Sequence, residues 1–341
     1  MARGVIRGEA REVSQAAAPG AAPGTAAGAA AGAAAGAVPC AAQATRLPKT
    51  LLILVALLVA LAICAPWLAP YPPDAQLDIV GLRSSPPSAA HPFGTDQFSR
   101  DLLSRVLYGA RVSLSFAAAS VLLGLIAGTA WGAASSLGPR LLGTTLRRLL
   151  DVALSIPRLL VLLAVPAFTG PLSLPGLIVL VGLTGWFTTA RQVADELDGL
   201  AQQEFTLAAR ATGVSRTRLF LRHLLPFLIP LLAINATFGT ANTIALEAGL
   251  SFLGLGIQPP TASWGNILHD TTGAFGVEWW IAVFPGIAIV GAVFICHLLG
   301  DALRESFVPA HVASKAPTHG VTLSSITGSA RAHTPPGTAR L

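Results

Sequence analysis

The chain has 341 residues, of which 53% are hydrophobic and only 11% are charged, and its formal net charge is +6. A soluble domain carries about 25% charged residues, so the composition excludes a protein whose surface faces mostly water. The basic residues are scattered among apolar runs rather than gathered into a stripe, which argues against nucleic-acid binding. The composition therefore predicts a membrane protein.

Both ends of the chain are poor in bulky apolar side chains. Residues 13–47 are nearly all Ala, Gly and Pro, and residues 310–341 are rich in Ser, Thr, Ala, Pro and Gly. Such compositions bury too little apolar surface to offset the entropy that is lost when a backbone becomes ordered. We therefore predict disordered tails over residues 1–47 and 306–341.

The stretches without a charged residue mark the membrane spans, and they are residues 50–73, 112–139, 159–190, 224–246 and 279–300. The third is split by "GPLSLPG" at 170–176, so a span that reaches back to Leu149 precedes one from about Leu174. A helix of about 20 apolar residues crosses a bilayer, and unpaired backbone groups exclude other segments from lipid. The sequence thus predicts an all-α membrane protein with six transmembrane helices.

The distribution of Lys and Arg predicts the orientation of these spans, because cytoplasmic loops carry an excess of both. With a cytoplasmic N-terminus, 17 of the 22 basic residues fall in inside segments, which are 1–50, 137–148, 191–223 and 301–341. The outside loops at 170–173 and 257–278 hold none. We therefore predict that both termini and residues 191–223 are cytoplasmic.

The first outside segment, residues 70–105, runs into the stretch "GTDQFSRDLLSRVLYGAR". Its pattern is typical of an amphipathic helix capped by Thr95, whose apolar face would be formed by Phe98, Leu102, Leu103, Val106 and Leu107. We expect this helix to lie along the outer surface, where it either contacts another protein or only packs.

A polar, arginine-rich segment interrupts the apolar pattern at residues 202–223. "QQEFTLAARAT" predicts a short helix, Gly213 fits a left-handed cap, and Ser215 can cap a second helix from about Arg216. That helix would continue past Pro226 into the fifth span. Topology alone explains the arginines, but the order helix, glycine, helix favours a compact hairpin that docks on another protein.

Several motifs resemble those of ABC-importer permeases. "AARATG" followed by "RHLLP" is similar to the cytoplasmic loop signature of that family. The segments at 91–114, 247–268 and 284–309 resemble the dipeptide/oligopeptide/nickel branch, in which Trp186 with Arg191 and Asp151 with Pro157 also have counterparts. The resemblance covers about residues 48–309.

This resemblance implies a type I permease core in which the helix at 206–213 docks in a groove of a cytoplasmic ATPase. Leu207 occupies a position where the motif has a glutamate, and His297 one where the branch has asparagine. Ala208, Ala209 and Gly213 match the motif. With the acidic residue that precedes it, the implied coupling residues are Glu204, Leu207, Ala208, Ala209 and Gly213.

The resemblance further implies a bacterial inner-membrane subunit of an ATP-driven importer for di- or oligopeptides or similar small solutes. The implied partners are a homologous second permease, two cytoplasmic ABC ATPases, an extracytoplasmic solute-binding protein and the bilayer. Nickel or another small solute is the alternative substrate, and a gradient-driven carrier or channel is the alternative class.

The expected organisation follows from the spans and the resemblance together. The first span and its outer loop occupy residues 48–108, and the permease core occupies 109–305 with its coupling loop at 191–225. The tails 1–47 and 306–341 flank them.

No pattern for catalysis or nucleotide binding occurs in the sequence. There is no G-x-x-x-x-G-K-[ST] to hold phosphates, and the cysteines and histidines lack metal-ligand spacing. We therefore predict no catalytic residue, no metal and no cofactor on this chain, so that ATP and Mg are used by the partner ATPases.

Ionisable residues inside the spans are functional candidates, because a charge at the bilayer centre costs at least about 2.5–3.5 kcal/mol. Asp151 is expected to pair with Arg147 or Arg148. Arg158 has either a structural or a pathway role. Glu247 either pairs structurally or, with Ser251, contributes to the translocation pathway or its outer gate.

Overall fold

The computed structural model describes residues 48–273 and 278–307. The predicted tails lie outside these residues, apart from residues 306 and 307, which end the last helix. Within the described residues the secondary structure is helical, and the helices are α1 (Lys49–Leu68), α2 (Leu102–Leu137), α3 (Arg140–Ser155), α4 (Arg158–Thr169), α5 (Leu174–Leu200), α6 (Glu204–Ala211), α7 (Arg216–Leu219), α8 (Leu225–Phe252), α9 (Trp264–His269) and α10 (Trp279–Phe307).

Five helical segments in the described part of the chain are long and apolar enough to cross a membrane. They are α1, α2, α5, α10 and the continuous segment Arg216–Phe252, in which a π-helical turn at Phe220–Leu224 joins α7 to α8. The count becomes six if α3 and α4 cross as one bent span. The all-α membrane fold predicted from the sequence is therefore confirmed.

The predicted third span, which should begin near Leu149, is broken in the structure. α3 and α4 meet at an angle of 74°, and the break lies at Ile156 and Pro157. Proline lacks an amide donor and disfavours a helical conformation in the residue before it, and Ile156 is accordingly extended with φ −86° and ψ 122°. The break places Arg158 at the first position of α4.

Helices α2 and α5 approach each other closely through glycines. Gly124, Gly128 and Gly132 follow each other at intervals of four residues and so lie on one face of α2. A Cβ at Gly128 would lie 2.7 Å from the Cβ of Thr189 and 2.9 Å from the carbonyl oxygen of Trp186. Small residues at such spacing let two helix backbones pack together in a membrane.

The end of the bundle opposite α6, called the far end below, is closed by the short helix α9. A capping box between Ser263 and Asn266 starts this helix. Its Trp264 is 2% exposed and donates its indole N–H to the carbonyl oxygen of Val106 at 3.0 Å. Trp264 and Ile267 pack in one apolar cluster with side chains of α1, α2, α8 and α10.

The predicted amphipathic helix capped by Thr95 is not formed, so this prediction was wrong. α2 begins only at Leu102, where the carboxylate of Asp101 accepts the N–H of Ser104 at 2.8 Å. Asp96 Oδ1 accepts the N–H groups of Phe98 and Arg100 at 2.8 and 2.9 Å, and this local turn competes with a helix. The apolar residues from Leu102 onward instead form the buried first turns of α2.

The glycine contact between α2 and α5 predicts a stability difference between two otherwise similar substitutions. We expect Gly128→Ala to lower the free energy of unfolding by about 1–3 kcal/mol, because the added methyl must displace the α5 backbone. Gly291→Ala on α10 is the matched control, since its Cβ would have no atom within 4 Å. Unfolding of the purified chain in detergent measures both, and equal stability of the two variants would contradict the close packing.

Candidate functional site

Residues 200–219 form the helical hairpin that the sequence predicted. α6 covers Glu204–Ala211, and the hydroxyl of the buried Thr206 donates to the carbonyl oxygen of Leu200 at 2.7 Å, which ties α6 to the end of α5. Gly213 adopts φ +79°, and the N–H of Val214 reaches back to the carbonyl oxygen of Ala209 at 3.4 Å. This is the left-handed glycine cap that ends many helices.

The hairpin presents most of its small and apolar side chains to the outside. Glu204, Ala208 and Gly213 are exposed, Leu207 is 53% exposed, and Ala209 is partly buried. Ser215 stands at the N-cap of α7, as predicted, but its side chain makes no capping hydrogen bond. Because α7 continues into α8, a displacement of the hairpin would be transmitted directly to a membrane-spanning helix.

A half-open cavity of about 320 Å³ lies between α2, α4, α5 and α8, and its Thr188, Gln192 and Asn242 are exposed. Its lining combines small and polar side chains with one charged residue, and it consists of Ser120, Val121, Gly124, Leu125, Arg158, Val181, Gly185, Thr188, Thr189, Gln192, Asn235, Phe238, Gly239, Asn242 and Thr243. Asn235 donates to Gln192 Oε1 at 2.6 Å and so links α8 to α5 beside the cavity.

Arg158 extends from the N-terminus of α4 toward α5. Its Nε donates to Thr184 Oγ1 at 3.2 Å, and its Nη2 donates to the carbonyl oxygen of Val181 at 2.9 Å. Among the ion pairs of the described residues, none involves Arg158. The guanidinium is therefore held by neutral groups at the wall of the cavity.

Glu247 lies in a cluster of serine hydroxyls rather than in the cavity lining. Its carboxylate accepts hydrogen bonds from Ser251 at 2.7 Å, Ser263 at 2.9 Å and Ser113 at 3.2 Å, and it is 2% exposed. Ser251 Oγ in turn accepts the N–H of Ile257 at 3.0 Å. This cluster joins α2 and α8 to the segment that starts α9.

Asp151 pairs with a different arginine from those expected. Arg191 on α5 donates to Asp151 at 2.7 Å, whereas Arg147 pairs with Asp198 at 2.7 Å. The prediction of a pair within α3 was therefore wrong. The cause is the packing of α3 against the half of α5 that is nearer the hairpin. This packing brings Arg191 and Asp198 of α5 close to the charged residues of α3.

Comparisons with known proteins identify the family of the chain. The family described as the binding-protein-dependent transport system inner membrane component matches residues 120–310, which is more than half of the chain. The chain belongs to this family.

Relatives of the permease agree with this membership. A protein of Brucella suis biovar 1, provisionally named a peptide permease, is 39% identical over 245 residues, which cover 71% of this chain and 80% of the relative. The di/tripeptide transport system permease protein DppC of Pseudomonas aeruginosa is 35% identical over 254 residues, covering 72% and 82%.

The fold is also similar to that of a solved transporter. An inward-facing structure of the MetNI methionine ABC transporter aligns with a TM-score of 0.50 and 20% identity, covering 61% of this chain and 98% of the other. This permease therefore has the type I ABC-permease fold, and it is a multi-pass protein of the bacterial inner membrane that acts as the permease subunit of an ABC importer.

Four paired charges lie at the far end of the permease, and no pattern of the sequence indicated them. Asp96 pairs with Arg100 at 2.6 Å and also with Arg105. Asp270 pairs with the same two arginines, at 3.0 and 2.8 Å. The two carboxylates thus balance the two guanidinium groups and tie the start of α2 to the chain that follows α9.

The glycine contact of α2 and the cavity were also not predicted, although the glycines have a pattern that the sequence shows. The glycines at intervals of four in α2 follow the small-residue pattern of membrane helix contacts. The polar cavity had no such signal, because its side chains come from four helices. Within the described residues, no group of three or more His, Cys, Asp or Glu side chains could hold a metal ion.

The far-end charge cluster predicts a large effect of removing one guanidinium. We expect Arg105→Met to lower the free energy of unfolding by about 3–5 kcal/mol, because two buried carboxylates would then share one arginine. Arg83→Met, at an exposed arginine of the same segment, should change it by less than about 0.5 kcal/mol. Thermal unfolding in detergent measures both, and a stable Arg105→Met variant would show that the cluster contributes little.

Proposed function

We propose that this permease moves di- or oligopeptides that an extracytoplasmic binding protein delivers, and that ATP hydrolysis in partner subunits drives the transport. The observation that carries the proposal is the exposed hairpin of α6 and α7, built in direct continuity with a helix that lines the central cavity. The peptide substrate is supported by the names of the relatives from Brucella suis and Pseudomonas aeruginosa.

The complex would contain a homologous second permease and two cytoplasmic ABC ATPases, one docked on this hairpin. Docking would use the exposed side chains of Glu204, Leu207 and Ala208. The tight turn at Gly213 ends α6, so that α7 does not extend the docking helix. Because Leu207 is apolar and 53% exposed, the facing surface of the ATPase should be apolar as well. ATP and Mg would be bound by the ATPases.

Orientation follows from the same assignment. If the hairpin contacts a cytoplasmic ATPase, the far end with α9 faces the binding protein outside. The excess of Lys and Arg in the predicted inside segments supports this orientation, in which both termini and residues 191–223 are cytoplasmic. The tails, the outer loop within 48–108 and the core at 109–305 would then be arranged as the sequence predicts.

The transport pathway would run through the central cavity beside Arg158. Glu247 and Ser251 would act at its outer gate, because their hydrogen bonds attach the end of α8 to Ser113 of α2 and to Ser263 before α9. Movement of the hairpin would reach this attachment through α8, which ends at Phe252.

Substitution of the hairpin glycine tests the docking. We expect Gly213→Asp to abolish ATPase association and ATP-dependent uptake, because a side chain at φ +79° strains the turn that shapes the hairpin. Gly199→Asp is the matched control, since that glycine is also exposed with no atom within 4 Å of a Cβ, but has no positive φ. Copurification and uptake by vesicles are the measurements. Normal uptake by Gly213→Asp would favour a gradient-driven carrier or channel.

The substrate is tested with the assembled transporter. We expect the binding protein loaded with a di- or oligopeptide to stimulate ATP hydrolysis by the reconstituted complex, and the same protein without peptide to stimulate it less. Nickel and other small solutes are the comparison ligands. Stimulation by these, with none by any peptide, would contradict the peptide substrate while leaving the ABC permease assignment intact.

A further inference from the structure

Arg158 is a partly buried cation within a membrane-spanning bundle, and no carboxylate of the described residues pairs with it. Val181 and Thr184, its hydrogen-bond partners, stand seven and ten residues into α5, so its guanidinium lies about 10–15 Å from the start of that helix at 1.5 Å per residue. A charge in this region is costly unless it is paired or faces water. By contrast, the ion-paired arginines Arg105, Arg147 and Arg191 do not line the cavity between α2, α4, α5 and α8.

The guanidinium retains hydrogen-bonding capacity. It has five N–H donors, and the hydrogen bonds from Nε and Nη2 to α5 account for two of them. A Cβ at Gly185 would lie only 3.1 Å from Nη2, so the glycine leaves the space that the guanidinium occupies. The other three N–H donors of the guanidinium are therefore available to a ligand in the cavity that Arg158 lines.

The remaining lining of the cavity is uncharged and combines polar with apolar side chains. No Asp or Glu contributes to it, so Arg158 gives the cavity a positive charge that no carboxylate of the lining compensates. Hydroxyl and amide groups of Thr188, Gln192, Asn235 and Asn242 stand in the same lining. Ser120 is 2% exposed, and its Oγ has no hydrogen-bond partner. An unpartnered buried hydroxyl at a cavity wall can form a hydrogen bond with a ligand or with water in the cavity.

We propose that this cavity binds the carboxylate of the solute during its passage, with Arg158 as the cationic partner. The inference rests on the proposed function, and it identifies the part of a peptide that the permease itself recognises. A guanidinium binds a carboxylate through two parallel hydrogen bonds, which are among the strongest that a protein makes. A volume of about 320 Å³ is at the lower end of the range of small-molecule sites.

The chemistry favours the carboxylate end of a peptide over its amino end. An amino group would need an acidic partner, and the carboxylate of Glu247 is outside the cavity lining and engaged by three serines. The C-terminal carboxylate is common to all peptides whatever their side chains. Recognition by Arg158 would therefore hold a peptide in transit without selecting its sequence.

Direct binding to the purified permease–ATPase complex, without the binding protein, tests this inference. The probes are dialanine as the free acid and dialanine with a C-terminal amide, and the readout is the shift in thermal unfolding over a titration. We expect the free acid to bind the wild-type complex about tenfold or more tightly than the amide, because a charge-assisted hydrogen bond is lost with the amide. Equal binding of the two probes, or no binding of the free acid, would overturn the inference.

Variants of the arginine separate carboxylate binding from a structural role. In Arg158→Gln the preference for the free acid should disappear, whereas Arg158→Lys should keep part of it because the charge remains. The matched control Arg148→Gln, at an exposed arginine of α3, should retain the full preference. If Arg158→Gln fails to fold, the preference of the wild type and of Arg158→Lys still decides the question. A full preference in Arg158→Gln would overturn the inference.

This outcome is distinguishable from a failure of the proposed function. If a peptide-loaded binding protein stimulates ATP hydrolysis but the complex does not prefer the free acid, only the role of Arg158 is wrong. If no peptide stimulates ATP hydrolysis, the proposed peptide substrate is wrong.

Discussion

The close approach of α2 and α5 is the contact on which the rest of the bundle depends. Gly128 and Gly132 leave no room for a Cβ against the α5 backbone, so the backbones of α2 and α5 can approach closely. Association in lipid has no hydrophobic driving force and relies on such packing. The same two helices contribute Ser120 and Thr188 to the cavity, so their close approach also affects the width of that cavity.

The arginines at the far end and the arginine at the cavity differ in their partners. At the far end, Asp96, Arg105 and Asp270 neutralise each other with Arg100 and attach α2 to the segment after α9. Arg158, in the cavity wall, has only neutral partners. The paired charges stabilise a fixed structure, since each has its counter-ion within the chain. The arginine at the cavity has no counter-ion among the described residues, and the carboxylate site proposed above depends on this difference.

The segment from Arg216 to Phe252 connects these features mechanically. It begins in the hairpin and passes Asn235 and Asn242 at the cavity. It then reaches Glu247, whose serine partners hold the far end. At 1.5 Å per residue, the hairpin and the cavity residue Asn235 are separated by about 28 Å along one helix. The hairpin, the cavity wall and the serine cluster at Glu247 are therefore parts of one continuous helical segment.

Local patterns of the sequence determined the five long spans, the hairpin and its glycine cap, because hydrophobic length and a positive φ are properties of neighbouring residues. The break of the predicted third span at Pro157 was not predicted. The same patterns gave a wrong amphipathic helix before Leu102, since a turn around Asp96 competes with the helical pattern. Tertiary structure alone decided that Asp151 pairs with Arg191 and that Asp96 and Asp270 share two arginines. It also formed the cavity, since side chains distant in the chain meet only when α2, α4, α5 and α8 pack around them.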